Sequence, residues 1–249
     1  MLKVSIITAT YNSSATIVDA IKSVQEQSHS NIEHIIVDGL STDDTIEKIK
    51  SIDQQIKIIS EKDNGIYDAM NKGIAIASGD IIGILNSDDF YASKLVIESV
   101  VRIFSIINCD ALYGDLLYVD SKHIFKVKRK WISGMHQRKD FLKGWMPPHP
   151  TFFVKKEVYE KYGVFNLELG TAADYELMLR FIYKHQINTF YLPEVLIHMR
   201  TGGASNKNIF NRLKANHGDR QAWRVNDLKP GLFTLYLKPL RKISQFFKK

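Results

Sequence analysis

Two adjacent carboxylates, Asp88 and Asp89, follow directly on a short apolar run with the composition of a buried strand. The local sequence, residues 83–91, is GILNSDDFY. Neighbouring carboxylates repel each other, and a bound divalent cation relieves that repulsion. Carboxylate oxygens suit Mg²⁺ or Mn²⁺, either of which can neutralise a diphosphate. The same residue types also form turns, so this stretch alone leaves both a metal site and a solvated turn open.

Three more polar segments follow apolar, β-branched runs in the first part of the chain: TATYN at 8–12, DGLSTDD at 38–44 and EKDNG at 61–65. A stretch with helical spacing of apolar residues comes after each of them. Strands that alternate with helices predict a parallel sheet covered on both faces. Ligands in such sheets bind at the carboxyl ends of the strands, so we expect all four polar segments to meet at one edge.

The pattern changes after residue 92, where an amphipathic helix, two strands, a Pro-rich turn, a second amphipathic helix and a late strand are predicted. No linker rich in Gly, Ser or Pro separates the two parts. We therefore predict one domain over residues 1–215. Residues 1–91 would be its nucleotide-binding half and 92–215 its second-substrate half, followed by a basic tail over 216–249.

The composition sets broad limits on function. The chain has 249 residues, with 34 Lys and Arg against 27 Asp and Glu, which gives a net charge of +7. A basic balance attracts nucleic acid, anionic membrane or phosphorylated small molecules, and does not choose among them. The single cysteine, Cys109, excludes an internal disulfide framework. With no signal peptide and no apolar run long enough for a membrane span, we expect a cytoplasmic protein, soluble or peripheral.

The polar segments also occur in a recognisable order: TATYN, VDGLSTDDT, DNGIYDAMNKGIAIASGD and LNSDD. Together they resemble the nucleotide-sugar half of glycosyltransferase family 2, over roughly residues 3–205. DNGIYDAMNKGI looks most like bacterial enzymes that build O-antigen, capsule or exopolysaccharide. The resemblance implies the α/β GT-A fold, which is Rossmann-like. Its mixed, mainly parallel sheet would be flanked by helices, with a basic C-terminal helical tail.

The resemblance also implies which residues contact a nucleotide-sugar donor. They are Thr8, Ala9, Thr10, Tyr11, Asp38, Asn64, Gly65, Lys72, Asn86, Ser87, Asp88 and Arg200. Tyr11 would stack on the base, and Asp38 would accept a hydrogen bond from a base imide, which suits uracil. Lys72 and Arg200 would contact phosphate oxygens. For Lys72, a solvated helix face is the alternative.

The family's metal and catalytic positions are matched in part. Asp88 occupies the metal-binding end of the Asp-any-Asp motif, whose first position is here Asn86, an amide without charge. Mg²⁺ or Mn²⁺ is the implied cofactor, with Asp89 and His198 as further ligands. Asp174, in GTAADYELMLR, matches the family's Asp at the start of a helix and would be the general base of an inverting transfer. The alternative is that Asp174 only stabilises its helix N-terminus.

Two further segments concern the acceptor. Trp145 and His149, in WMPPHPTFF, lie where the family shapes the acceptor side; Trp145 would stack on a sugar ring and His149 would bond a hydroxyl. The tail FTLYLKPLRKISQFFKK interleaves apolar and basic residues. Such a segment can lie on an anionic membrane and bring the enzyme to a lipid-linked glycan acceptor. It can equally pack on the domain or on a partner chain.

The leading hypothesis is a metal-dependent inverting glycosyltransferase that moves a sugar from a UDP-sugar to a growing, lipid-linked bacterial surface polysaccharide. A nucleotidyltransferase that makes nucleotide sugars is one alternative. Such enzymes carry a Gly-rich loop with basic residues after the first strand, which TATYNSS lacks. A non-catalytic basic protein that binds nucleic acid or membrane is another. It explains the charge but not the polar strand ends, and no nucleic-acid partner is expected because no such motif is visible.

Overall fold

The structure, a computed structural model, describes residues 1–52, 56–202 and 209–244. Within these residues, nine strands form one mixed sheet. In chain order they are β1 (Val4–Thr10), β2 (Ile32–Asp38), β3 (Lys57–Ser60), β4 (Ile81–Ile84), β5 (Phe90–Tyr91), β6 (Ala111–Val119), β7 (Val127–Trp131), β8 (Phe153–Lys155) and β9 (Thr189–Arg200). Their spatial order is β3-β2-β1-β4-β8-β6-β9-β5, and β7 pairs with β6.

Eight α-helices accompany the sheet in the same described ranges. They are α1 (Ile17–Gln25), α2 (Thr45–Ile52), α3 (Ile66–Ile76), α4 (Val96–Ile106), α5 (Lys156–Tyr162), α6 (Ala173–Met178), α7 (Ile209–Val225) and α8 (Thr234–Ser244). A π-helical stretch, Leu179–Lys184, continues α6. Short 3₁₀ turns lie at Arg138–Lys143, His149–Thr151 and Leu167–Ala172. The helices predicted after each of the first three strands are all present.

The first half of the chain forms the parallel part of the sheet. β1 pairs in parallel with β2 and β4, and β2 with β3. Every residue of β1 is buried because both faces of this central strand are covered, which explains why its residues are apolar or β-branched except for Ser5. The register sets Thr10 beside Asp38 and Asp38 beside Ser60. The polar ends of β1, β2 and β3 therefore lie at one edge, as predicted.

Alternate residues of β1 pack into two different parts of the core. Ile6 belongs to the cluster that contains Ala20 of α1, and Ile7 to the cluster that contains Ala69 of α3. A Cβ atom on Gly73 would lie 2.4 Å from Cγ2 of Ile7, so only a glycine lets α3 approach β1 this closely. This contact fixes the start of α3 beside the strand ends.

The second half of the chain makes the sheet mixed. β8 lies between β4 and β6 and is antiparallel to both, whereas β6 and β9 are parallel. β5 pairs antiparallel with β9, so that Phe90 faces His198 across the ladder. The mixed sheet flanked by helices confirms the predicted fold class. It also attaches the segment after β4, which carries the carboxylate pair, to the end of β9.

The C-terminal helices pack on this second half. α7 runs across residues 215 and 216, where the sequence predicts the tail to begin, and Trp223 near its end is completely buried. The hydroxyl of Thr234, which begins α8, donates to the carbonyl oxygen of Leu142 at 2.5 Å. Side chains of residues 217–238 thus share a core with the second half of the chain. The last part of the predicted tail, residues 245–249, lies outside the described residues.

Candidate active site

The loops that follow β1, β2 and β3 are tied to one another. The backbone N–H of Asn12 donates to the Ser41 hydroxyl, and the Asn12 side-chain oxygen accepts from the backbone N–H of Thr42, both at 2.8 Å. A Cβ atom on Gly39 would lie 2.5 Å from Oδ2 of Asp63, so the next loop packs directly on the glycine. These contacts hold the edge in shape without any ligand.

Exposed apolar side chains stand on these loops. Tyr11 is 61% exposed, Leu40 50% and Ile66 48%, and each follows the end of a different strand of the parallel part. Apolar side chains with an aromatic ring among them offer a surface on which a flat base can pack. The exposure of Tyr11 agrees with its predicted role in stacking, which stays a prediction.

Three residues predicted to contact the donor are buried in the strand itself. Thr8 is completely buried, and its hydroxyl lies 3.0 Å from Nε2 of His34 on β2. Ala9 and Thr10 are only 6% and 4% exposed. The side chains of Thr8 and Ala9 therefore build the sheet, and the structure gives no support to the prediction that they line a nucleotide pocket.

Asp38 is also completely buried. Its carboxylate accepts hydrogen bonds from the hydroxyls of Ser41 at 2.5 Å and Ser60 at 2.7 Å. These bonds join the end of β2 to its own following loop and to the end of β3. A contact between Asp38 and a base stays a prediction, and it requires the carboxylate to exchange at least one of these partners.

The segment before α3 carries three more predicted donor residues. Asn64 donates its backbone N–H to Asp68 at 2.9 Å, and Gly65 has a φ of 113°, a conformation that favours glycine. Lys72 pairs with Glu61 at 2.9 Å, and the hydrogen bond to that carboxylate is the main cause that raises the pKa of Lys72. Lys72 is thus engaged on the protein surface, and its contact with phosphate stays a prediction.

Asp89 joins the ends of β4 and β9. It is completely buried; one carboxylate oxygen accepts from the Asn86 amide at 2.9 Å and the other from the backbone N–H of Arg200 at 3.2 Å. Burial and, second, the charge of Asp88 raise the pKa of Asp89. With both oxygens in use, Asp89 is placed as a structural residue, and the structure favours Asp88 over Asp89 as a metal ligand.

Asp88 is partly exposed, and burial raises the pKa of its carboxyl group. Its neighbour Ser87 lies 2.9 Å, hydroxyl to hydroxyl, from Ser13 in the loop after β1. Burial destabilises the charged form of Asp88, and a bound divalent cation would stabilise it. Because Asp88 is partly exposed, such an ion could reach it. No group of three or more His, Cys, Asp or Glu in the described ranges could hold a metal by itself. One carboxylate combined with substrate phosphates is, however, a usual mode for Mg²⁺.

His198 and Arg200 both pack against Phe90. The His198 ring packs edge-on at 5.2 Å between centroids, and the Arg200 guanidinium carbon lies 5.0 Å from the ring centroid. Arg200 is 6% exposed and bonds both to the Asp19 carboxylate and to the backbone oxygen of Asp88. The prediction that Arg200 grips phosphate is therefore not supported. Burial lowers the pKa of His198, which favours the neutral ring that a metal would need.

Asp174 lies at the start of α6, partly exposed, and accepts from the backbone N–H of Tyr175 at 2.7 Å. The hydroxyl of Tyr67 on α3 lies against it; burial first, and then the charge of Asp174, raise the pKa of Tyr67 well above its ordinary value. Burial lowers the pKa of His149, and Asp174 opposes that shift. The ring of Phe165 contacts those of Tyr67 and His149, at 5.2 and 5.6 Å between centroids.

Tyr118 on β6 connects the two acidic positions. Burial raises the pKa of Tyr118, the Arg129 cation opposes that shift, and the charges of Asp89 and Asp174 add smaller increases. The guanidinium carbon of Arg129 lies 3.8 Å from the centroid of its ring. Tyr118 thus lies within the electrostatic influence of Asp89 and Asp174, with the Arg129 cation against its ring.

The ring of Trp145 is enclosed by other side chains of the core. It is 5% exposed, its indole N–H donates to the carbonyl oxygen of Ser133 at 3.2 Å, and its ring stacks on His136 with 4.5 Å between centroids. The prediction that Trp145 stacks on a sugar is therefore not supported, because the aromatic core already covers the ring. The charge of Asp174 acts on His149, and the predicted bond from His149 to an acceptor hydroxyl stays a prediction.

Sequence reasoning missed three residues of this site: Tyr67, Tyr118 and Arg129. Tyr67 lies inside the DNGIYDAMNKGI motif, two residues after Gly65, and that position could have marked it. Tyr118 and Arg129 lie on strands that pair antiparallel. The sequence does not show which other strands will lie beside β6, so no sequence signal indicated the surroundings of Tyr118 and Arg129.

The architecture and the clustering of acidic side chains near the strand ends define a GT-A glycosyltransferase. The chain belongs to glycosyl transferase family 2, whose model matches residues 5–163. An uncharacterised glycosyltransferase of Mycobacterium tuberculosis is 30% identical over 194 residues, which cover 71% of this chain and 68% of the relative. A PGL/p-HBAD biosynthesis glycosyltransferase of the same species is 26% identical over 211 residues, covering 81% and 78%.

Solved structures show the same fold. S. aureus TarS 1–349 in complex with UDP-GlcNAc has a TM-score of 0.71 and 16% identity, and the match covers 99% of this chain and 72% of TarS. The mannosyltransferase PcManGT from Pyrobaculum calidifontis, solved with GDP-Man and Mn²⁺, has a TM-score of 0.66 and 18% identity, covering 95% and 69%. At these identities the likeness establishes the fold.

Proposed function

We propose that this glycosyltransferase carries out a metal-dependent, inverting transfer of a sugar from a UDP-sugar to a hydroxyl of a growing, lipid-linked bacterial surface polysaccharide. The observation that carries the proposal is the meeting of the polar ends of β1, β2 and β3 at one edge of the sheet, in a chain that matches glycosyl transferase family 2. A displacement at an anomeric carbon requires that Asp88 and the predicted base, Asp174, both reach the bound donor. The apolar side chains of Tyr11, Leu40 and Ile66 would take the base of the donor.

The comparisons support a nucleotide diphosphate sugar as donor. TarS is solved with UDP and with UDP-GlcNAc, and PcManGT with GDP-Man and Mn²⁺. Uridine is favoured here because the family resemblance implies that Asp38 accepts a hydrogen bond from a base imide. Asp88 is the residue that would hold Mg²⁺ or Mn²⁺, and the bound ion would offset the negative charge of the diphosphate.

In the proposed mechanism, Asp174 accepts the proton of the acceptor hydroxyl while that oxygen forms its bond to the anomeric carbon. The bond from the anomeric carbon to the diphosphate oxygen breaks in the same step, and its electron pair leaves with the diphosphate. Attack opposite the leaving group inverts the configuration. Tyr67 holds the carboxylate of Asp174, and the Arg129 guanidinium beside Tyr118 adds positive charge to the space where negative charge develops.

The proposal of a lipid-linked acceptor is supported by the relatives of the chain. One relative is named for PGL/p-HBAD biosynthesis, and the first matches are bacterial glycosyltransferases. In the described ranges, no helix has both the length and the apolar character needed to cross a bilayer. We propose that the enzyme reaches a lipid-linked acceptor by peripheral contact with the inner face of the plasma membrane.

The test is a screen of nucleotide sugars for release of nucleoside diphosphate in the presence of Mn²⁺, Mg²⁺ or EDTA. We expect UDP-sugars to score best, and Asp174→Asn to lower turnover by about 100-fold or more while donor binding is retained. Asp227→Asn, at an exposed position with a φ of 58°, is the matched control. Normal turnover of the Asp174 variant would refute the assigned base. Release of pyrophosphate instead would indicate a nucleotidyltransferase.

A further inference from the structure

The loop between α7 and α8 exposes apolar side chains that the rest of the fold does not cover. Leu232 is 90% exposed, Phe233 68% and Tyr236, one turn into α8, 58%. Val225, at the end of α7, is 47% exposed. A cluster of large apolar side chains on a protein surface often marks an interaction site.

Positive charge surrounds these side chains. Residues 217–249 contain eight Lys and Arg against two Asp, a net charge of +6 out of +7 for the whole chain. Arg220, Arg224 and Lys229 line an open groove of about 530 Å³ that ends at Pro230, just before Leu232. All three are exposed, and none of them forms an ion pair within the described residues. Their charge is therefore available to a partner.

The inner side of the same helices is joined to the helix that carries Asp174. The Trp223 indole donates to the Tyr175 hydroxyl, and the Asn226 amide donates to the Glu176 carboxylate, both at 2.9 Å. Whatever binds the outer side of α7 and α8 is thus held at a fixed position relative to α6.

We propose that Arg220, Arg224, Lys229, Leu232 and Phe233, here named the α7–α8 surface, dock on an anionic lipid membrane. The three cations would face the headgroups, while Leu232 and Phe233 enter the boundary between headgroups and acyl chains. Nucleic acid would use the cations but not two apolar side chains exposed to this degree. A second copy of the chain would bring two strongly positive faces together, which their charge opposes.

Membrane docking of the α7–α8 surface rests on the proposed function in one respect, namely that the acceptor is linked to a lipid. Because α6 is joined to the docking helices, the membrane would fix the position of Asp174 relative to the lipid surface. The binding itself does not depend on catalysis, so the two can be tested apart.

The experiment measures co-sedimentation of the full chain with vesicles of phosphatidylcholine, either alone or with about 30 mole per cent phosphatidylglycerol. We expect sedimentation only with the anionic vesicles. Leu232→Ser combined with Phe233→Ser should reduce the partition coefficient at least about tenfold. Arg220→Gln, Arg224→Gln and Lys229→Gln should each reduce it about fivefold. Phe125→Ser is the matched control, because Phe125 is 96% exposed among lysines on the β6–β7 hairpin.

Three results would overturn the proposal: no sedimentation of the unmodified protein, unchanged sedimentation of all the surface variants, or a loss confined to Phe125→Ser. RNA binding that the Leu232 and Phe233 variant retains, without vesicle binding, would reassign the surface to nucleic acid. Release of nucleoside diphosphate in vesicle-free buffer should be the same in every variant. A protein that lacks this release but still sediments would contradict the proposed function and leave the docking surface intact.

Discussion

The indole N–H of Trp223 donates to the phenolic oxygen of Tyr175 over 2.9 Å, directly behind the predicted base, Asp174. Both partners are buried, and the ammonium group of Lys238 lies 3.6 Å from the centroid of the Tyr175 ring. Lys238 also pairs with Asp219 at 2.7 Å. Helices beyond the matched family region, which ends at residue 163, therefore brace the helix on which the proposed chemistry depends.

The first prediction concerns this brace. Trp223→Phe leaves the buried Tyr175 hydroxyl without its donor, so the free energy of unfolding should fall by about 1–3 kcal/mol. Urea denaturation measures this change, and Tyr236→Phe, at an exposed hydroxyl, is the control and should differ little from the parent protein. We also expect a lower kcat, because α6, which carries Asp174, loses the hydrogen bond that holds it to α7. The affinity for the donor should not change, because the ends of β1, β2 and β3 are not affected. Equal stability of the Trp223 and Tyr236 variants would contradict the brace.

The second prediction tests Asp88 as the metal-holding residue. Asp88→Asn removes the charge but keeps the size, and the Mn²⁺-dependent part of the stabilisation by UDP should disappear. Thermal unfolding with UDP, with and without Mn²⁺, measures that part as a difference in Tm. Lys72→Met serves as the comparison, because Lys72 is paired with Glu61, and the Mn²⁺-dependent shift should survive in it. An undiminished shift in the Asp88 variant would place the metal elsewhere.

The third prediction follows from the raised pKa of Asp89. A carboxyl group whose pKa is higher in the folded than in the unfolded state contributes stability that is fully present below the unfolded value, about 4. That contribution is lost as the pH rises towards the folded value. In metal-free buffer, the free energy of unfolding should therefore decline from pH 4 upward, and Asp89→Asn should flatten the decline. If the free energy of unfolding changed with pH in the same way in both proteins, the raised pKa of Asp89 would be contradicted.

The architecture of the first half could be read from the sequence because its information is local. Each strand, its polar end and the helix after it are consecutive in the chain, and parallel pairing brings the ends to one edge. Asp174 could be named because the family places an acidic residue at the start of that helix. Its role as general base stays a prediction.

The exceptions depend on contacts between distant parts of the chain. Arg200 has the chemistry of a phosphate ligand, but Asp19, far away in sequence, engages its guanidinium. Trp145 has the chemistry of a sugar platform, but Ser133 and His136 enclose it. Residue type reveals what a side chain can bind. It does not reveal whether the fold has already satisfied that side chain.

The last prediction concerns Tyr67, which links the nucleotide side to the base. Its ring packs on Phe165, and Asn71, one turn further along α3, holds the backbone of Phe165 through two hydrogen bonds of 2.9 Å. Tyr67→Phe keeps this packing and removes only the hydroxyl that lies against Asp174. We expect kcat to fall about tenfold, the size of a lost hydrogen bond to a charged group. The KM for donor should not change.

The raised pKa of Tyr67 sharpens the same test, because the hydroxyl stays protonated, and so remains a donor, throughout the pH range of an assay. Titration of Tyr67 should therefore add no alkaline limb to the pH profile of kcat, and the ratio between the parent protein and Tyr67→Phe should be constant with pH. Tyr236→Phe, at an exposed tyrosine of α8, should match the parent protein in kcat. Full activity of Tyr67→Phe would mean that Asp174 is oriented by its own helix alone, through the backbone N–H of Tyr175.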